Sequence, residues 1–117
     1  MYTVTETPAQ NEAIVRRLFD EFHNGGDERV VDEVLATPQL RRQLKRSAAR
    51  LRRFSTNPQF AIDDLISTND KVVTRWTAQV RLYNQPTEAN GLFIYRIRNG
   101  KVVDLWQNWD ELDPIVH

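Results

Sequence analysis

The chain has 117 residues and no net formal charge, and its length predicts a single domain over residues 1–117. Hydrophobic residues make up 40% and charged residues 27%, which is typical of globular proteins. The absence of cysteine excludes disulfides, thiol nucleophiles and thiolate metal sites, and two distant histidines, His23 and His117, do not predict a metal centre. No apolar run approaches the roughly 18–20 residues of a membrane span. We therefore expect a cytoplasmic protein that needs no cofactor.

Charge is distributed unevenly along the chain. Residues 1–36 carry a net charge of −5, residues 37–62 carry seven bases and no acids, and residues 63–117 carry −2. The basic block is open to three interpretations: a solvated or internally paired helix face, a surface for an acidic protein partner, or a nucleic-acid contact. Nucleic acid is the least favoured, because no aromatic residues are interleaved with the bases and the acidic first segment supplies counter-charges.

The first predicted helix spans the sequence TPAQNEAIVRRLFDEFHNGG. Thr7 is its predicted N-cap, Pro8 suits the first helical position, and Gln10 stands where a capping-box partner would. Its inner face is apolar at four-residue spacing, through Ile14, Leu18 and Phe22. Residues 24–26 end the helix with a left-handed cap, and His23 is predicted to place a positive side chain there rather than to act in catalysis.

Two further helices follow. Asp27 is the predicted cap of the second helix, whose buried side consists of Val30, Val31, Val34 and Leu35. The pair Thr37-Pro38 ends this helix and starts the third, QLRRQLKRSAARLRRF. This third helix has one apolar side and carries the basic block on the rest of its surface, and residues 55–58 close it.

After Pro58 the pattern changes to strands. The predicted strands are QFAIDDLIS, KVVTRWTAQVRLY, EANGLFIYRIR and KVVDLWQNWDEL. Turns are predicted at Thr68-Asn69-Asp70, at Gln85-Pro86-Thr87 and at Asn99-Gly100. Helices followed by hairpin strands predict an α+β fold, with the helices on one face of an antiparallel sheet.

Three stretches carry a resemblance: NEAIVRRLFDEFHNGGDERVVDEVL, DDLISTNDKVVTRWTAQV and FIYRIRNGKVVDLWQNWDEL. Over about residues 10–113 the chain resembles the SnoaL-like polyketide cyclases of the nuclear-transport-factor-2-like superfamily, and more distantly the limonene epoxide hydrolases. The resemblance implies a cone-shaped domain, a cystatin-like roll, in which three N-terminal helices pack on a curved four-stranded antiparallel sheet around a pocket. It also implies a homodimer, or a heterodimer with a related protein, through the outer face of the sheet.

Two segments that such proteins usually have are missing from this sequence. One is a short strand between the second and third helices, where residues 36–38 here run straight into the basic helix. The other is a longer Gly-rich hairpin between the central strands, which residues 83–88 replace. Both segments normally help to wall the pocket, so we expect a cavity that is smaller, more open, or completed by a partner.

The usual acid/base residues are also missing. The resemblance implies an aspartate directly after the tryptophan of the last strand, and Gln107 occupies that position. A carboxylate can take up and return a proton, whereas an amide can only donate and accept hydrogen bonds. The His and amide of the cyclase pattern fall near Phe93 and Gly91, and the Arg and Asp of the epoxide-hydrolase pattern fall near Trp76 and Ala78. None of these positions holds a titratable group.

Strand alternation, aligned on this position, predicts an aromatic and mostly neutral pocket. Its predicted substrate-binding residues are Trp76, Ala78, Val80, Phe93, Leu105 and Trp109, and Gly91 is predicted to line it as well. Gln107 and Tyr95 are its polar groups and, with Asp110, its candidate catalytic residues. Each has an alternative role: Gln107 as a buried structural hydrogen bond, Tyr95 as core, and Asp110 as a solvated or capping acid at the rim.

Two functions are compatible with these features. The first is a cyclase or isomerase for a hydrophobic, polyketide-like biosynthetic intermediate, acting mainly by pocket shape and neutral hydrogen bonds. The second is a non-catalytic module that binds a ligand or dimerises with an active relative. The missing acid and base motivate the second, and the fold alone does not decide between them.

Overall fold

The structure, a computed structural model, describes residues 7–110, except for the side chains of residues 109 and 110. Three helices come first: α1 (Pro8–Arg17), α2 (Glu28–Val34) and α3 (Pro38–Phe54). Four strands follow: β1 (Gln59–Thr68), β2 (Lys71–Leu82), β3 (Gln85–Arg98) and β4 (Lys101–Asp110). The strands form one antiparallel sheet in the order β1-β2-β3-β4. The predicted α+β fold is confirmed.

Helix α1 begins with the predicted capping box. The Thr7 hydroxyl accepts from the Gln10 backbone N–H at 3.1 Å, and the Gln10 side chain accepts from the Thr7 backbone N–H at 3.1 Å. Beyond Arg17 the helix widens into a π-helical segment, Leu18–Asn24. The segment buries four side chains, those of Leu18, Phe19, Phe22 and His23.

Helices α2 and α3 start at their predicted caps. The Asp27 side chain accepts from the Arg29 backbone N–H, and the Thr37 hydroxyl accepts from the Leu40 backbone N–H. Between the two helices, Leu35 forms one isolated parallel bridge with Val102. A single bridge thus stands where the resemblance implied a short strand.

The basic block on α3 is partly paired within the chain. Lys45 forms an ion pair with Asp32 at 2.7 Å, and Arg41 donates to the Leu35 carbonyl oxygen at 3.1 Å. Arg42, Arg46 and Arg53 are exposed. Internal pairing, one of the three interpretations of this block, accounts for part of its charge.

Two of the predicted strand connections are confirmed and one is wrong. β1 and β2 join across Asn69-Asp70, and β3 and β4 join at Asn99-Gly100, whose φ angles are both positive. β2 and β3 instead join at Tyr83-Asn84, so the predicted turn at Gln85-Pro86-Thr87 is incorrect. β3 begins at Gln85, and Pro86 lies inside it opposite Arg81.

Proline is tolerated at this place among the described residues because no described strand pairs with the outer side of β3 there. The described part of β4 pairs with β3 only as far as Asn90, and β1 begins opposite Gln79, so the described ends of β2 and β3 form a two-stranded ribbon. Pro86 lies on that ribbon, where its missing N–H interrupts no ladder with a third described strand.

The helices pack against one face of the sheet, which we call the inner face. Register shifts between Ile62 and Asp64 and between Arg96 and Ile97 interrupt the ladders, and such bulges bend strands. Along β2 burial alternates strictly from Val72 to Leu82, which assigns alternate residues to the inner and outer faces. Among the described residues, no helix is long and apolar enough to cross a membrane.

Candidate functional site

The inner face carries most of the predicted lining residues. Those with described side chains are buried in the core: Trp76, Ala78, Val80, Phe93, Tyr95 and Leu105. Strand register pairs Trp76 with Gly91, Phe93 with Gln107, and Tyr95 with Leu105. The structure therefore brings these residues together on one surface beneath the helices.

This surface is an aromatic layer packed against other side chains. The ring centroids of Trp76 lie 5.0 Å from those of both Phe60 and Phe93, and Phe93 meets Tyr95 edge to face at 6.4 Å. Trp76, Phe93 and Tyr95 have no solvent-exposed surface. A substrate would reach these rings only after neighbouring side chains move apart.

Gly91 has no side chain and so leaves room in this layer for the Trp76 indole. A Cβ atom at this position would lie 2.5 Å from the Trp76 indole and 2.5 Å from the Asn108 carbonyl oxygen. Any side chain here would therefore displace the indole or separate β3 from β4.

Gln107 lies half-buried at the edge of this layer and connects the sheet to α3. Its Nε2 donates to the Ser47 hydroxyl at 3.3 Å, and that hydroxyl donates to the Leu44 carbonyl oxygen at 3.0 Å. No described group donates a hydrogen bond to Gln107 Oε1, which leaves it available as an acceptor. Ser47 was not predicted, although a serine beside Leu44 and Ala48 on a helix is a recognisable polar position bordering an apolar face.

Tyr95 places a neutral phenol within the core. Its hydroxyl is fully buried and forms no hydrogen bond of normal geometry with the described residues. Burial raises the pKa of Tyr95, and the neighbouring Thr74 hydroxyl offsets only part of that rise. The side chain therefore remains protonated near neutral pH and can act as a hydrogen-bond donor, not as a base.

His23 lies in the same aromatic layer, and its predicted role as a charged cap is wrong. The side chain is only 2% exposed, and its ring centroid lies 5.8 Å from that of Phe93. Burial, with a smaller contribution from the Arg52 charge, lowers the pKa of His23 to about 3, so the imidazole is neutral near pH 7. Arg52 of α3 caps the helix instead, donating to the carbonyl oxygens of Phe22 at 3.1 Å and of His23 at 3.3 Å.

Two predicted site residues have side chains outside the described part of the structure. The backbone of Trp109 pairs with Gly91, and that of Asp110 pairs with Asn90 at the end of β4. The predicted lining role of Trp109 and the predicted rim or acid/base role of Asp110 remain predictions.

The buried polar groups on the described inner face are uncharged near pH 7. The titratable side chains that it buries are Tyr95 and His23, and neither is ionised near pH 7. Gln107 supplies an amide oxygen, and Tyr95 and His23 supply buried polar atoms without partners among the described residues. Such groups can orient and polarise a carbonyl group, whereas a histidine with so low a pKa is a weak base.

Comparison with known proteins identifies the family. The family model for SnoaL-like polyketide cyclases matches residues 12–115. No curated protein matches the chain.

Solved structures share the fold at low sequence identity. IdmH from Streptomyces antibioticus, assigned as a polyketide cyclase, is 21% identical, with a TM-score of 0.77 over 92% of this chain and 96% of that chain. A protein from Jannaschia sp. CCS1, assigned as a SnoaL-like polyketide cyclase, is 17% identical, with a TM-score of 0.78 over 99% and 96% of the two chains. TsrD from Streptomyces laurentii is 20% identical, with a TM-score of 0.73 over 90% and 91%. Because the family model covers nearly the whole sequence, the chain belongs to the SnoaL-like polyketide cyclase family.

Proposed function

We propose that this protein is a cyclase or isomerase that acts on a hydrophobic, polyketide-like intermediate by shape and neutral hydrogen bonding. Membership of the SnoaL-like family supports the reaction class. The observation that carries the mechanism is the neutral inner face, where the two buried titratable groups, His23 and Tyr95, are both uncharged near pH 7.

In this proposal the substrate enters between α3 and β4. Gln107 is half-buried there and is held by one hydrogen bond to Ser47, which a polar substrate group can replace. Once inside, aromatic rings hold the flexible chain in a folded conformation and exclude water. The substrate reacts as its neutral enol, whose carbon forms the new C–C bond as the π bond of a second carbonyl group breaks. The Tyr95 hydroxyl or the Gln107 amide donates to that carbonyl oxygen and stabilises the negative charge that develops on it, and the proton of the enol hydroxyl passes to the same oxygen.

The test is the rate and product distribution of a linear poly-β-ketone that cyclises slowly without the protein. Wild type is expected to accelerate one ring closure, and Gln107→Leu and Tyr95→Phe are expected to slow that closure about tenfold or more, since each removes one positioned hydrogen-bonding group. Gln79→Leu is the matched control, because it makes the same change as Gln107→Leu at an exposed position of β2.

The enzyme proposal fails if wild-type protein gives the same rate and products as buffer. It also fails in this mechanistic form if Gln79→Leu slows the reaction as much as Gln107→Leu. Acceleration that survives both inner-face substitutions would place the chemistry on other groups, of which the predicted candidate is Asp110, three residues after Gln107 in sequence.

A non-catalytic role is the second candidate. It is favoured by Gln107, which holds an amide where the resemblance implies the working carboxylate. Under this alternative the protein binds the hydrophobic molecule, or joins an active relative, without turnover. Quenching of tryptophan fluorescence by the poly-β-ketone without any change in its rate of cyclisation would support this role over catalysis.

The outer face of the sheet supports a proposal about the partner. Four apolar side chains form one row across all four strands: Ile66, Val73, Ile94 and Trp106. Ile66 is 62% exposed and Trp106 is 46% exposed, which is unusual for side chains of this size. We call this set the outer apolar row and propose that a second copy of this chain covers it.

The charges that flank the outer apolar row fit a second copy. Asp64 pairs with Arg75 at 2.8 Å on one side of the row, and Asp104 pairs with Arg96 at 3.2 Å on the other. These two pairs are neutralised within the chain, so covering them buries no unpaired charge, and exposed Lys71 is the flanking residue without an ion pair among the described residues. Neither flank therefore favours a partner whose surface is strongly acidic or strongly basic.

A further inference from the structure

We propose that an open recess at the end of the molecule formed by the β2–β3 turn binds an anionic group carried on a small aromatic compound. The recess encloses about 260 Å³ where the C-terminus of α3 meets that turn. Its lining includes Arg53, Phe54, Thr56, Arg81, Tyr83 and Asn84. None of these residues belongs to the inner face, so this proposal does not rest on the proposed cyclase activity.

The charge of the recess favours an anion. Two arginines line it and no acid does. Within the described part of the chain, neither Arg53 nor Arg81 forms an ion pair, whereas Arg75 and Arg96 of the same sheet pair with carboxylates. The position of Arg53 in the last turn of α3 is favourable to the helix dipole, but no such effect explains Arg81.

A buried hydrogen bond fixes the position of the two backbone segments that carry these arginines. The Ser55 hydroxyl accepts from the Arg81 backbone N–H at 2.7 Å, and the Ser55 backbone N–H donates to the Leu51 carbonyl oxygen at 3.0 Å. Ser55 is itself only 2% exposed. The end of α3 and strand β2 are therefore joined directly, so the recess has a defined width rather than lying between two independent segments.

Two exposed aromatic rings give the recess apolar surfaces. Phe54 is 40% exposed and Tyr83 is 65% exposed. Tyr83 also has a φ of 51°, in the left-handed region that bulky side chains rarely adopt. A small residue would suit that backbone better, so the large ring at this position requires a reason, and contact with a ligand supplies one.

These features define the ligand class. Guanidinium groups bind phosphate and carboxylate oxygens through paired hydrogen bonds, and exposed rings favour a flat apolar partner. The volume lies below the roughly 300–1,000 Å³ of sites for drug-sized ligands, which restricts the ligand to about one ring and one anionic group. An aryl phosphate or an aryl carboxylate has this chemistry.

The test is a titration of the protein with phenyl phosphate, followed by backbone amide NMR shifts and by calorimetry. Phenyl phosphate is expected to shift amides of residues 53–56 and 81–84 and to bind more tightly than inorganic phosphate or benzyl alcohol. Arg53→Gln and Arg81→Gln are each expected to weaken binding about tenfold, the loss typical of one charge-assisted contact. Benzoate in place of phenyl phosphate distinguishes a carboxylate ligand from a phosphate ligand.

Two control variants separate a specific site from general attraction to a basic helix. Arg42→Gln removes an exposed arginine of the same helix outside the recess and is expected to leave the affinity unchanged. Tyr83→Asn removes the ring and introduces a residue that tolerates positive φ. It is expected to weaken the binding of phenyl phosphate but not that of inorganic phosphate. The proposal is overturned if Arg42→Gln weakens binding as much as Arg81→Gln, or if benzyl alcohol binds as tightly as phenyl phosphate.

Discussion

At the scale of single residues, His23 is the side chain whose surroundings most change its chemistry. Its ring centroid lies between 5.1 and 5.8 Å from those of four phenylalanines, which are Phe19, Phe22, Phe60 and Phe93. Among the charges of the described residues, the cation of Arg52 is the one that affects its pKa, and it opposes protonation further. The imidazole therefore behaves as an apolar ring near neutral pH and becomes unfavourable once it is protonated.

This environment predicts that acid destabilises the fold through His23. The pKa of His23 is about 3 in the folded state, against an ordinary value of 6.5, so only the unfolded chain takes up this proton between those values. The contribution of neutral His23 to the free energy of unfolding is fully present above about pH 6.5. It falls by about 1.4 kcal/mol for each pH unit below that value. Urea denaturation should give a free energy of unfolding about 1–1.5 kcal/mol lower at pH 5.5 than at pH 7.5.

The control for this prediction is His23→Phe, which keeps an aromatic ring and removes the titration. Its stability is expected to change little between pH 7.5 and 5.5. The pKa values of the paired carboxylates Glu21, Asp27 and Glu33 are lowered by their arginine partners, so their contributions are lost only at a more acidic pH. An unchanged pH slope in His23→Phe would contradict the assignment.

At the scale of secondary-structure elements, the β2–β3 turn combines a common geometry with an unusual residue. Tyr83 and Asn84 both have positive φ, the pattern of the two-residue hairpin turns that favour Asn and Gly. Asn84 suits such a position, whereas the Cβ of Tyr83 makes the left-handed conformation costly, by roughly 1–2 kcal/mol for an ordinary residue.

Replacing Tyr83 with asparagine is therefore expected to stabilise the fold. The gain should be about 0.5–1 kcal/mol, part of the backbone strain that the tyrosine carries. Thermal unfolding followed by circular dichroism measures this change, with Tyr83→Phe as the control that keeps a bulky ring. Equal melting temperatures for Tyr83→Asn and Tyr83→Phe would show that the turn stores no strain.

The elements that could be predicted from sequence are those governed by local chemistry. The Thr7, Asp27 and Thr37 caps follow from one side chain and a nearby N–H, and the Asn99-Gly100 turn follows from two residues that adopt positive φ readily. Burial along β2 follows from simple alternation, which correctly predicted that Trp76 lies on the inner face.

What could not be predicted depends on contacts distant in sequence. His23 is buried because its ring packs against Phe60 and Phe93, which lie on strands far along the chain, and nothing in residues 18–24 indicates the π-helical turn there. Pro86 indicated a turn that lies two residues earlier, because the positive φ angles that form the turn fall on Tyr83 and Asn84. The contact between Ser47 and Gln107 joins positions sixty residues apart, so only the packing of α3 on the sheet reveals it.

At the scale of the whole molecule, the two faces of the sheet have different roles. The inner face holds the aromatic core and the candidate site, and the outer face holds the outer apolar row. Ile66 and Trp106 lie at opposite ends of that row, on the two edge strands. A second copy that covers the row would therefore contact all four strands and leave the inner face unobstructed.

Sedimentation velocity tests this arrangement. Wild type is expected to be a dimer at micromolar concentration, and Ile66→Arg and Trp106→Glu are each expected to give monomers, since burying a new unpaired charge is strongly unfavourable. Arg42→Glu, which changes an exposed residue of α3, is the control and should remain dimeric. A wild-type monomer that becomes dimeric only with a related chain would favour the heterodimer instead, and a dimer that tolerates Ile66→Arg would exclude this face.

The two-stranded ribbon formed by the ends of β2 and β3 has a consequence for solubility. Strand edges without a neighbour expose backbone N–H and C=O groups, which in other proteins recruit further strands and lead to aggregation. On the β2 side of the described ribbon the Arg81 N–H already donates to Ser55, and on the β3 side Pro86 has no N–H to donate and Glu88 places an exposed charge. Pro86, which led to the wrong position being predicted for the turn, thus helps to prevent neighbouring molecules from adding strands to the sheet.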